Sequence, residues 1–129
     1  MIAWNQDLFR LLVEQAPDAI IFADRDGTIR VWNASAAALF GYAAEEAIGR
    51  SLDLIIPEHL RRAHWEGFHQ AIAHGQTKLG RQALKTRALP KTGQKLYVSL
   101  AFAVVKDREG NAIGAIATAR EFIDKDKPA

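Results

Sequence analysis

The chain of 129 residues has no cysteine. Disulfides, thiolate nucleophiles, cysteine-bound zinc and iron–sulfur clusters are excluded with it. It has no apolar run near the ~20 residues that cross a bilayer. Its start, Met1-Ile2-Ala3-Trp4-Asn5-Gln6-Asp7, lacks the basic and apolar segments of a secretion signal. The expected location is therefore the cytoplasm, with no membrane partner. There is no strong charge of one sign either. Seventeen Lys and Arg against 15 Asp and Glu leave +2, and the bases are scattered. That balance gives no basic stripe, so no nucleic-acid partner is expected. Ser35, Ser51 and Ser99 have no nucleophile context, and Asp24 with Asp26 belongs to a turn, so the chain is not expected to be an enzyme. What remains is 49% hydrophobic and 25% charged, in a length that suits one domain with one core.

The order of elements is legible from periodicity and turn residues. Asp7 to Gln15 carries Leu8, Leu11 and Leu12 on one side and predicts a short amphipathic helix. Ala19 to Ala23 and Thr28 to Trp32 are strand-forming runs on either side of Asp24-Arg25-Asp26-Gly27, which predicts a hairpin. Asn33 is a good N-cap for Ala34 to Phe40, which Gly41 stops, and Ala43 to Ile48 predicts one or two further helical turns. Arg81 to Leu89 reads as a strand of poor pattern. Leu96, Val98, Leu100, Phe102 and Val104 alternate strictly, and Ala112 to Phe122 returns after Asp107-Arg108-Glu109-Gly110-Asn111. Two strands, several short helices and three strands predict an α+β arrangement, an antiparallel sheet with helices across one face. The organisation is a helical cap over 1–17, a domain over 18–123 and a polar tail over 124–129.

Pro57 suits the opening of a helix, Glu58 complements its dipole, and the pattern runs to His74 before Gly75. Leu60, His64, Phe68, Ala71 and Ile72 share a stripe. His64 thus lies on an apolar face. His59 and His69 lie roughly 140° to either side of it and His74 about 80° away, so those three are aimed elsewhere. A histidine on such a stripe fits two roles: a core imidazole bonded to a backbone carbonyl, or a ligand to a bound group. Zinc is rejected, because ligand pairs on a helix need spacings near three or four and these histidines fall five apart. Trp32, Trp65 and Phe68 are candidates to line a planar cofactor pocket, or else plain core. Gly114, Ala115, Ala117 and Ala119 leave room over the last strand.

Ala19-Ile20-Ile21 before Asp24-Arg25-Asp26-Gly27, Trp32-Asn33, Phe40-Gly41-Tyr42, Glu45-Glu46, Ile48-Gly49, Lys91-Thr92-Gly93 and Asp107-Arg108-Glu109-Gly110 occur in an order that resembles the PAS domain family. The resemblance runs from about Leu8 to Phe122. It implies a five-stranded antiparallel sheet of order 2-1-5-4-3, with short helices on one face around a small cavity. It also implies a sensory or interaction role. Ile56-Pro57, Leu60-Arg61 and Ala63-His64 with Glu66 are similar to the haem-binding branch, the rhizobial oxygen-sensor kinases and the oxygen-sensing bacterial phosphodiesterase.

That likeness implies haem b, iron ligation by His64, and gas or redox sensing. Arg61, on the helix beside the stripe, is a candidate partner for a cofactor carboxylate, or else a solvated surface arginine. The branch's distal methionine and oxygen-stabilising arginine fall at Gln82 and Leu84, so its oxygen chemistry is not carried over. The absent cysteine excludes the light-sensing flavin branch. With no effector domain in the sequence, the signal is expected to leave through a homodimer or a signalling partner protein. A cofactor-free interaction and dimerisation module is the alternative.

Overall fold

The computed structural model describes residues 5–78 and 80–124. The start of the expected cap and the polar tail beyond Asp124 lie outside the described residues. Five strands form one antiparallel sheet in the order β2-β1-β5-β4-β3, where β1 is Ala19–Asp24, β2 Ile29–Trp32, β3 Leu84–Ala88, β4 Leu96–Lys106 and β5 Ala112–Glu121. This is the predicted order, with the first and last strands side by side at the centre.

The two sharp reversals use one device. Asp24 Oδ1 accepts from the amides of Asp26 (3.0 Å) and Thr28 (3.1 Å). Asp107 Oδ1 accepts from Glu109 (3.0 Å) and Asn111 (2.9 Å). In each, a carboxylate oxygen accepts from turn amides in place of a backbone carbonyl.

Period-two alternation decides which side chains face the helices. Ile21 and Ala23 of β1, Val98, Leu100 and Phe102 of β4, and Ala115, Ala117 and Ala119 of β5 fall on one face by register. Helix α1 (Gln6–Gln15) precedes β1, while α2 (Ala34–Phe40) and α3 (Ala44–Ala47) follow β2. Asn33 caps α2 through a bond from the Ala36 amide.

The expected single helix from Pro57 to His74 is in two parts. Glu58–Leu60 is a 3₁₀ turn, and the α-helix, α4, is Arg61–His74. Pro57 stands before the turn with ψ 142°, an extended conformation, so it caps the segment instead of opening it. Gly75 ends α4 at φ 72°, the left-handed conformation that glycine adopts without penalty. Strand β3 is shorter than the run from Arg81 to Leu89, because residues 81–83 belong to the connection from α4.

The buried side chains fall into two groups. One gathers Ile21, Ile29, Trp32, Phe40, Ile55 and Val98 under α2, and the other gathers Ala23, Phe68 and Ile72 under α4. No helix among the described residues is long and apolar enough to cross a membrane.

Candidate functional site

The two core groups do not close on each other. Between them lie two adjoining chambers, an outer one of about 520 Å³ and an inner one of about 320 Å³. The small side chains of β5 account for the space. Ala115 lines both chambers and Ala117 the inner one, where larger residues would fill it. Six residues line both chambers: Ala63, His64, Phe68, Leu84, Phe102 and Ala115. His64 therefore stands at the junction, placed there by the stripe of α4.

Its nearest ring neighbours are aromatic. The imidazole meets Trp65 edge-on at 4.7 Å between ring centres and lies 5.9 Å from Phe68. Nδ1 is buried, and among the described residues it has no hydrogen-bond partner. An unpaired buried polar atom costs about 1–3 kcal/mol, so this nitrogen is a natural place for a ligand to bind. The backbone-carbonyl partner of an ordinary core histidine is missing.

Burial lowers the His64 pKa from its ordinary value of 6.5; the Asp53 carboxylate opposes this, and His69 adds to the lowering. The ring is therefore neutral at pH 7, with a free lone pair. A base with a lowered folded pKa takes up its proton more readily when unfolded. Its contribution is complete above the unfolded pKa and is lost as pH falls through the folded one. Stability should therefore begin to fall as pH drops below about 6.5. Asp24 and Glu46, whose pKa values are also lowered, chiefly by bonds to Arg30 and Lys91, act only in the carboxylate range. In urea titrations, His64→Leu should flatten the limb that begins below about pH 6.5. An unchanged limb would assign it to another group.

The other predicted residues divide. Phe68, Gln82 and Leu84 share the outer chamber with His64. Trp32 does not reach either chamber. It is buried against Phe40 at 5.5 Å, and its indole nitrogen donates to the Tyr42 carbonyl. It is a core residue, on the strand at the sheet edge. Arg61 also points away. Its guanidinium donates to the carbonyls of Ile56 (3.1 Å) and Asp53 (3.3 Å), and so holds the preceding turns. Trp65 donates to Asp53 Oδ1 at 2.8 Å and stands outside the cavity.

His74, expected to aim elsewhere, lines the outer chamber, because α4 ends there and the wall continues along Gln76, Thr77, Lys78, Gly80 and Gln82. Its Nδ1 lies 2.7 Å from the Gln70 carbonyl, which can only accept, so Nδ1 carries the proton. Thr86 and Phe102 complete the sheet side. The alternation of β3 and β4 gives their direction, though not their use. Among the described residues no three of His, Asp and Glu gather closely enough to hold a metal ion by themselves.

The family model for the PAS fold matches residues 7–122. The chain belongs to the PAS family. This PAS domain is 26% identical over 98 residues to the oxygen sensor protein DosP of Escherichia coli, covering 76% of this chain and 12% of that protein. It is 36% identical over 55 residues to the sensor protein FixL of Bradyrhizobium diazoefficiens, covering 43% of this chain and 11% of that protein. It thus spans only about an eighth of the length of the relatives it matches. The PAS domain of a Colwellia psychrerythraea protein superposes with a TM-score of 0.77 at 21% identity, over 89% of this chain and 94% of that one. The PAS assignment carries a sensory role in signalling proteins.

Proposed function

We propose that this PAS domain senses a gas or a redox change through haem b, with His64 as the proximal ligand. The observation that carries the reading is the buried, unpartnered Nδ1 of His64 between the two chambers. Haem iron needs one axial nitrogen from the protein, not a cluster, and a neutral imidazole supplies it. When bound, the haem would supply an iron with one further position for a diatomic ligand or for a change of oxidation state. The likeness to an oxygen sensor protein and to a sensor protein supports the same reading.

The chain's own residues have distinct parts in it. His64 holds the ligand. Phe68, Leu84 and Phe102 exclude water from the junction, and Gln82 offers the polar side chain of the outer wall. Signalling requires contacts that differ between two ligand states. Ala115 faces the cavity from β5, and its neighbour Ile116 faces the opposite side of the sheet, so a change at the wall is felt on the outer face. The role is regulatory, without catalysis, and the signal leaves through a homodimer or a partner protein.

A second reading, a cofactor-free association module, is favoured by α1. It buries none of its residues and exposes Phe9 (64%) and Leu12 (57%). Haemin added to the purified domain should give a Soret band that His64→Ala abolishes while thermal unfolding stays cooperative. A band unchanged in the variant would overturn the ligand assignment. A colourless wild-type domain, with self-association lost in Phe9→Asp/Leu12→Asp, would establish the second reading instead.

A further inference from the structure

We infer that the cavity is built for an organic anion, a ligand with an apolar body in the chambers and a carboxylate at the mouth held by Lys78 and Lys106. The inference names the ligand class of the cavity described above and depends on that cavity, not on iron. Haem b belongs to the class through its propionates, and so does a medium-chain fatty acid.

Three observations converge. First, neither chamber is lined by an Asp or Glu, whereas Lys78 lines the outer one. A cationic ligand would find no counter-charge, whereas an anionic one finds Lys78 at the outer end and Arg87 in the wall of the inner chamber. Second, the outer chamber is the more polar. The inner one runs between Ile21, Phe40, Ile55 and Leu100, with Thr86 and Arg87 on its β3 side, while the outer one is bounded by His74, Gln76, Thr77 and Lys78. Third, the Lys106 side chain crosses from the end of β4 to the end of α4. It lies so close to Gly75 that a Cβ there would stand 3.0 Å from Lys106 Cε and 3.2 Å from Nζ.

Gly75 sits between two lining residues, His74 and Gln76, so a second ammonium stands beside the same mouth. Neither Lys78 nor Lys106 forms an ion pair with a carboxylate among the described residues. Lys106 also faces the negative end of the α4 dipole, which accounts for its position without any ligand. The test must therefore separate capping from recognition.

Pairs of probes that differ only in the carboxylate make that separation. Haemin and haemin dimethyl ester are titrated by absorbance. Dodecanoate and methyl dodecanoate are titrated by displacement of a fluorescent apolar probe. Wild type should bind the acid about tenfold more tightly than the ester in at least one pair, since charge-assisted bonds at a partly desolvated mouth are of that order. Lys78→Gln/Lys106→Gln, which keeps most of each stem, should bring acid and ester within about twofold in that pair. The exposed Lys95→Gln should leave the preference intact.

Equal binding of acid and ester by wild type in both pairs overturns the inference, as does a preference that survives the double substitution. Failure to bind any of the four probes overturns it too. A melting temperature that falls in the double variant with the preference unchanged would leave Lys106 as a helix cap and overturn its role. Preference for dodecanoate with no His64-dependent Soret band would reject haem and retain the anion site.

Discussion

Asn33→Ala should destabilise the domain by about 3–5 kcal/mol, a large part of the stability of a domain of this size. Asn33 is the one buried polar residue among the described residues, at 1% exposure. Its side chain is fully used. Oδ1 accepts from the amides of Ile20 (2.8 Å) and Ala36 (3.0 Å). Nδ2 donates to the carbonyls of Val13 (2.8 Å) and Asp18 (3.0 Å). One amide thus joins α1, the loop before β1, β1 itself and the first turn of α2. Alanine removes the cap, worth about 1 kcal/mol. It also strands backbone groups that cost about 1–3 kcal/mol each where water cannot reach them.

Asn33→Asp should be no milder at neutral pH. It keeps the two accepted bonds and sets a carboxylate oxygen against two carbonyls. Urea unfolding with a fitted m-value checks both variants. A loss below about 1.5 kcal/mol for Asn33→Ala would mean that the stranded groups find other partners.

Asn33 also marks the limit of what the sequence discloses. Its cap on α2 is legible, because an Asn before a run of helix formers needs only local chemistry. The bonds to Val13 and Asp18 are not, because they exist only once α1 and the loop before β1 have come to lie beside β2. The same division holds at the site. The helical period of α4 brings His64 and Phe68 to the cavity, and Gln82 and Leu84, singled out by the resemblance and not by any period, line the same outer chamber. Trp32 and Arg61 miss the cavity because each satisfies its polar group nearby, at the carbonyls of Tyr42, Ile56 and Asp53. An aromatic or a cation near a site in sequence carries no information about such local partners. His74 reaches the cavity by the opposite route. Its helical angle points it aside, but the chain turns after Gly75 and carries the outer wall past it. The two chambers are the hardest to foresee, since a void is a property of what fails to pack. The row of small residues on β5 shows that space is available, and only the placed helix α4 shows that nothing fills it.

Gly27→Ala should cost about 3 kcal/mol and should disturb α4 from a distance. Two terms add. Gly27 has φ 78°, and a side chain there carries a penalty of about 1–2 kcal/mol. A Cβ at Gly27 would also overlap the six-membered ring of Trp65, and overpacking of this kind costs about 1–3 kcal/mol. The contact is the point where α4 leans on the β1–β2 turn. Trp65 is fixed there from the other side by its bond to Asp53, and its ring meets His64 at 4.7 Å. Moving the indole therefore moves the neighbour of the candidate ligand, so the variant should also bind haemin more weakly where the fold persists.

Replacing Trp65 tests the division of these terms. In a double-mutant cycle, Gly27→Ala should cost about 1–2 kcal/mol less when Trp65→Ala is already present, because the overlap has gone and only the backbone penalty remains. Strict additivity would place the whole effect in the turn. It would remove the proposed mechanical link between the β1–β2 turn and the helix that carries His64.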